Sequence, residues 1–242
     1  MSRNDDAFGH ALLDWAKGGV NAEIIERDDG YEETGAGPGV YLSGTRGWPA
    51  AERQSLRWVR GRVIDVGCGA GRVALELQRR GFDVVAMDRS SLALEAAKRY
   101  GVKNRQRSTI DDLSRSVGSF DTIILFGNNF GLFQTPTRAR ERLTRWATSA
   151  KPGARVLCES TCAYFGAPAM DRAYYRRNSE LEVPPGQLRA RYRYEQFVGP
   201  WFEWLFVSRS EMRQIVDGTG WRVSRILGSR SNEPYVAVLE KR

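Results

Sequence analysis

The chain has 242 residues, enough for one α/β domain with an added subdomain and short for two independent domains. Apolar residues make up 41%, yet none of the runs approaches the roughly 18–20 residues a membrane helix requires, and the polar start reads as neither signal nor transit peptide, so a cytoplasmic protein without membrane contact is expected. The net charge of +8 raises nucleic acid as a partner, but the arginines are dispersed among acids, as in RARERLTR (138–145), which argues for a solvated surface and against nucleic acid.

Residues 1–60 read as a mainly helical arm with a Gly-rich bend, TGAGPG (34–39). From Gly61 onward strand and helix alternate, which predicts a mostly parallel sheet with helices on both faces. RVIDVG (62–67) is a buried strand, and GRVALELQRR (71–80) a helix closed by Gly81. DVVAMD (83–88) is the second strand, followed by a helix over 90–101 capped by Ser90 or Ser91. A weakly apolar third strand is expected at 103–109 and a strong fourth at 120–127. Pro136 opens a helix over 136–150, and Lys151-Pro152-Gly153 turns into a fifth strand at 154–160. Ser208 and Glu211 form a capping-box pattern for a helix over 208–220. Strands at 221–227 and 235–241 complete seven, the last as an antiparallel edge or hairpin partner. The expected organisation is an arm or lid (1–60), a doubly wound Rossmann-like core (61–160 with 208–242) and an aromatic-rich insert after the fifth strand (161–207).

The segment Val63-Ile64-Asp65-Val66-Gly67-Cys68-Gly69-Ala70-Gly71-Arg72 carries the chemistry. Glycines at a strand-to-helix turn let a ligand approach backbone N–H groups and a helix N-terminus. The spacing is GxGxG, not the GxGxxG of pyrophosphate-binding dinucleotide sites. Asp65, two residues earlier, would repel a pyrophosphate and suits a cationic ligand. Asp88, at the tip of the second strand about 20 residues on, is placed to accept from a ribose diol. Together these describe S-adenosylmethionine, although either acid could instead cap a local turn. Cys68, Cys158 and Cys162 form no CxxC pair and His10 is the single histidine, so no metal is expected, nor a disulfide framework.

Here the sequence resembles the class I S-adenosylmethionine-dependent methyltransferases, in DVGCGAGR, VVAMDRS (84–90), FDTII (120–124) and KPGA (151–154), in that order. The resemblance covers about 60–160 well and 208–242 loosely. It implies S-adenosylmethionine as cofactor and S-adenosylhomocysteine as product. It implies Asp65, Gly67, Cys68, Gly69 and Gly71 at the methionine end, with Asp88 on the ribose and Arg89 beside the adenosine. Thr109 and Ile110 would meet the adenine, with Asp111 the alternative if the third strand ends later. Phe126, Gly127 and Asn128 would approach the sulfonium.

The insert holds Tyr164, Phe165, Tyr192, Tyr194, Trp201 and Trp204 among other aromatics, either as its own small core or as a lid over an apolar acceptor. In LRARYRYEQFV (188–198) arginines alternate with apolar residues, a strand with a hairpin partner in 200–208 and Gly199-Pro200 near the turn. Tyr31 and Tyr41 of the arm are further candidates for the substrate site. Catalytic candidates are Asn128 and Asn129, as orienting amides, and Glu159 as a carboxylate base, required only if the acceptor is protonated at neutral pH. The leading expectation is in-line methyl transfer to a small-molecule substrate in a dehydrated pocket. An RNA or protein methyltransferase, or a non-catalytic protein of the same fold, is the alternative. Oligomeric state is not legible.

Overall fold

The computed structural model describes residues 2–115, 117–162, 169–228 and 234–242, so Tyr164 and Phe165 lie outside the described residues. In chain order the elements are α1 (Ala7–Trp15), β1 (Ile24–Arg27), β2 (Glu32–Thr34), α2 (Pro38–Tyr41), α3 (Ala50–Ser55), β3 (Val63–Val66), α4 (Arg72–Arg79), β4 (Val84–Asp88), α5 (Ser91–Arg99) and β5 (Arg105–Arg107). There follow β6 (Thr122–Leu125), α6 (Pro136–Ser149), β7 (Arg155–Ser160), α7 (Ala169–Glu180), β8 (Gln187–Tyr194), β9 (Phe197–Val198), β10 (Phe202–Leu205), α8 (Arg209–Val216), β11 (Trp221–Leu227) and β12 (Tyr235–Lys241). The larger sheet runs β11-β12-β7-β6-β3-β4-β5, and a smaller one β10-β8-β1-β2, with β9 on β8. Among the described residues no helix is long and apolar enough to cross a membrane.

Internal contacts divide the chain into two compact units. The first comprises Met1–Trp48, Val63–Thr109 and Arg189–Phe202. Its strands β3, β4 and β5 pair in parallel. Every residue of β3 is buried, which is why VIDV reads as a continuous run and not an alternation. β5 is half-exposed, and an edge position explains its low apolar content. On α4, Val73, Ala74 and Leu77 are buried, one stripe at helical spacing; each large side chain so buried contributes roughly 1.5–3 kcal/mol. On α5 the buried set is Leu92, Ala93, Ala96 and Ala97, and the Ser90 hydroxyl accepts from Ala93 N–H. Helix α1 joins this core through Ala11, Leu12 and Trp15, and Asp6 caps it by accepting from Gly9 N–H.

The arm carries α1, α2 and α3, and also strand that its sequence does not announce. It contributes β1 and β2, and β1 pairs antiparallel with β8, Ile25 opposite Tyr192. A four-residue strand whose partner lies some 165 residues away leaves too little local periodicity to be read. β8 turns at Glu195–Gln196, Glu195 taking φ +50°, so that Tyr194 faces Phe197; the turn is not at Gly199-Pro200.

The second unit comprises Pro49–Arg62, Ile110–Leu188 and Glu203–Arg242. β6 and β7 are parallel, while β12 runs antiparallel to both β7 and β11. The last strand is therefore interior, not an edge, in keeping with its five consecutive buried residues. α8 carries the full capping box between Ser208 and Glu211. α7 was not anticipated; among its twelve residues only Tyr174 and Asn178 are buried, too few to form an apolar stripe.

Candidate functional site

In the first unit, the turns after β3 and β4 meet through hydrogen bonds. Gly67 and Cys68 both donate to Met87 O, at 2.8 and 3.0 Å. Gly69 N–H donates to Asp88 Oδ2 at 3.0 Å, and Ser90 N–H to Asp88 Oδ1 at 2.9 Å, so one carboxylate ties the two turns together. Asp65, buried within β3, accepts from Ala74 N–H of the first turn of α4 at 3.1 Å. Asp65, Gly67, Cys68, Gly69, Gly71 and Asp88 thus lie together at β3, β4 and the turns that follow them, with exposed Arg89 next in sequence.

Two glycines are required by geometry. Gly71 takes φ +82° as the residue before α4, and a Cβ there would stand 2.6 Å from Val102 Cγ2. Gly69 takes φ +53°, and a Cβ would meet only Leu12 Cδ1 at 3.6 Å, so its peptide face is open to close approach. The electrostatics are those of a desolvated site. Burial pushes the Asp88 carboxyl above its ordinary value, against the opposing donors Ser90 N–H and Gly69 N–H. Burial, reinforced by Asp88 and Asp65, drives the Cys68 thiol well up, which leaves it an inert filler of the turn. A buried and a half-buried acid beside a glycine turn open at Gly69 fit a ligand with a cationic end and a ribose.

The arm adds an aromatic layer to this unit. Tyr41 stacks on Trp15 with ring centres 5.5 Å apart, and Tyr192 on Phe8 at 4.5 Å. The Tyr194 hydroxyl donates to Asp14 Oδ2 at 2.6 Å. Tyr31 lies under the Arg27 guanidinium at 4.8 Å. Trp201 is flanked by Arg191 and Arg189, at 4.6 and 5.7 Å. Glu23, which no sequence signal singled out, is fully buried beside Tyr41. Thr109, after β5, is exposed.

The other expected residues lie in the second unit. Phe126 is buried, Ile110 half-buried. Gly127 N–H donates to Glu159 Oε2 at 2.5 Å, and Asn128, left-handed at φ +59°, accepts from the Thr161 hydroxyl at 2.7 Å. Asn129 opens the short 3-10 helix that follows. Asp111, the alternative adenine contact, is bound to Arg142 Nε at 2.7 Å. Trp204 packs against Gly131, where an added Cβ would overlap its indole.

A family profile described as "Methyltransferase domain" matches residues 63–153. A "Ubiquinone biosynthesis O-methyltransferase" of Xanthomonas oryzae pv. oryzae is 27% identical over 197 residues, covering 74% of this chain and 76% of the relative. The fold is that of a Bacteroides fragilis S-adenosylmethionine-dependent methyltransferase solved with S-adenosyl-L-homocysteine. That structure aligns over 100% of this chain and 97% of its own at a TM-score of 0.83 and 22% identity. A Methanosarcina mazei S-adenosylmethionine-dependent methyltransferase aligns over 77% of this chain and 95% of its own, at a TM-score of 0.60 and 18% identity. With the ordered motifs, the domain match and the Rossmann-like sheet in agreement, the chain carries a methyltransferase domain on the fold of S-adenosylmethionine-dependent methyltransferases.

Proposed function

We propose that this enzyme methylates a small organic molecule, with S-adenosylmethionine held at the turns of β3 and β4. The observation that carries the reading is the Asp88 carboxylate at the tip of β4, bridging Gly69 N–H and Ser90 N–H with lone pairs left for a ribose diol. Asp65, Gly67, Cys68, Gly69 and Gly71 take the methionine end, Arg89 the adenosine, and Thr109 and Ile110 the adenine, with Phe126, Gly127 and Asn128 towards the sulfonium. When bound, the cofactor supplies an electrophilic methyl group, so the protein's task is alignment and exclusion of water. Glu159 acts as a positioning residue, since its carboxylate already accepts from Gly127 N–H; Asn128 and Asn129 shape the same strand tip. Tyr31, Tyr41, Tyr192, Tyr194, Trp201 and Trp204 are the proposed acceptor-side aromatics.

The acceptor class is supported by the name of the curated relatives, which act in ubiquinone biosynthesis. It is supported too by the arginines of β8, the strongest sequence argument for RNA. Arg191 forms a two-point ion pair with Glu26, and Arg193 pairs with Glu26 and Glu32, so this face is charge-matched within the protein. Transfer of labelled methyl from S-adenosylmethionine into a fractionated cell lysate tests the proposal. Label in the low-molecular-weight fraction is expected. Label in nuclease- or protease-sensitive material would replace this acceptor class with RNA or protein.

A further inference from the structure

The first unit carries a further buried carboxylate that none of these roles uses. Glu23, immediately before β1, is 0% exposed. Its Oε2 accepts from Gly37 N–H at 3.2 Å, and the main chain closes over it at Gly35, where an added Cβ would stand 2.2 Å from Oε1. The Tyr41 hydroxyl faces the same carboxylate, and Tyr192 lies within reach of its charge. Oε1 has no hydrogen-bond partner among the described residues. Burial pushes the Glu23 carboxyl above its ordinary value, opposed by backbone amides of residues 23, 36 and 37 and by Tyr41.

The neighbours locate this carboxylate. Tyr41 lines one cavity together with Ala70 of the glycine turn and Arg72, which opens α4. Tyr41 and Tyr192 both pack on the apolar cluster that includes Ala70 of that turn. A glutamine has the same shape but offers one oxygen in place of two to the donors around Glu23, at no cost of a buried charge. Burial outweighs these donors, so the charge is under-compensated within the protein, and a cationic ligand group would supply an attraction that is strong where water is excluded.

We propose that Glu23 is the buried counter-charge for the cationic methionine end of S-adenosylmethionine, which bears a sulfonium and an α-ammonium. The inference rests on the cofactor site proposed above. Calorimetric titration of the full chain with three probes tests it. S-adenosylmethionine carries both cations, S-adenosylhomocysteine keeps only the ammonium, and 5′-methylthioadenosine has neither. Glu23→Gln is expected to weaken S-adenosylmethionine by about tenfold or more and to leave 5′-methylthioadenosine unchanged. A parallel loss for S-adenosylhomocysteine assigns the ammonium, and an unaltered S-adenosylhomocysteine assigns the sulfonium. No loss for any probe, or the same loss for all three, overturns the proposal. Should the glutamine variant fail to fold, Glu23→Asp keeps the charge and must keep the preference for S-adenosylmethionine over 5′-methylthioadenosine; loss of that preference also overturns it. Wild-type protein that binds none of the probes would instead remove the cofactor site itself.

Discussion

The first unit contains two kinds of sheet. In β3 and β4 every residue but Asp88 is buried, and the strands are cemented by Val63, Ile64, Val85 and Met87. In β1 and β8 most positions are half-exposed and in β2 all are exposed, and cohesion comes from Glu26–Arg191 and Glu32–Arg193 ion pairs and from the Phe8–Tyr192–Phe202 stack. The first kind depends on apolar burial, which salt and pH leave nearly untouched; the second depends on paired charge, which both weaken. A rigid sheet thus carries the glycine turn, and a softer, tunable one carries the aromatics and Glu23.

The largest effect should come from the burial-dependent sheet. Ile64→Ala removes a fully buried side chain from β3 and is expected to cost about 2–5 kcal/mol. Urea unfolding in low and high salt checks it: a loss that shrinks with salt would erase the distinction between the sheets. Next is Gly71→Ala, which needs a left-handed residue and a Cβ inside van der Waals range of Val102 Cγ2. About 1–3 kcal/mol of stability should go, together with cofactor affinity measured by calorimetry. Unchanged affinity would mean that the turn does not hold the ligand.

The same contrast explains what could be read in advance. Asp65, Gly67, Gly69, Gly71 and Asp88 lie within 24 residues, and the turn chemistry that joins them is written locally as glycines and acids. Buried parallel strands appear as short apolar runs, so β3, β4, β6 and β7 were legible. The smaller sheet is not local. Glu26 meets Arg191 across 165 positions, and IIER is too short to show a period. The strands β1 and β2 within the arm therefore escape a local reading, and Glu23, a single acid with no motif around it, gives no signal. Its meaning comes only from the Gly35–Gly37 backbone and Tyr41 folding over it. The alternation in LRARYRY did predict a strand with arginines on one face, but nothing in the sequence named their glutamate partners.

Asp88→Asn keeps the side-chain shape and one acceptor oxygen while removing the charge. It is expected to weaken S-adenosylmethionine and S-adenosylhomocysteine equally, by about tenfold, because ribose is common to both. A loss confined to S-adenosylmethionine would give Asp88 the role proposed for Glu23 and exchange the two assignments.

The smallest effects, and the finest test of the softer sheet, come from two glutamates three residues apart. The Arg191 hydrogen bond, then the charges of Arg191 and Arg193, hold the Glu26 carboxyl below its ordinary value. Its contribution to stability is therefore present above the usual glutamate range and is lost as pH falls through the lowered value. Glu26→Gln should lower the melting temperature slightly at neutral pH, and the difference should vanish in acid or in high salt. Glu23 has the opposite sign. Its carboxyl is raised by burial, so its relative contribution is greatest below the unfolded value and is lost as pH rises through the raised one. Glu23→Gln should then leave the melting temperature of the ligand-free protein equal or higher at neutral pH, by differential scanning calorimetry, while Glu26→Gln lowers it. A lower melting temperature for both would make Glu23 a structural acid like Glu26. A rise for Glu23→Gln alone would mark a charge that the fold carries at a cost, as expected of a group kept for its ligand.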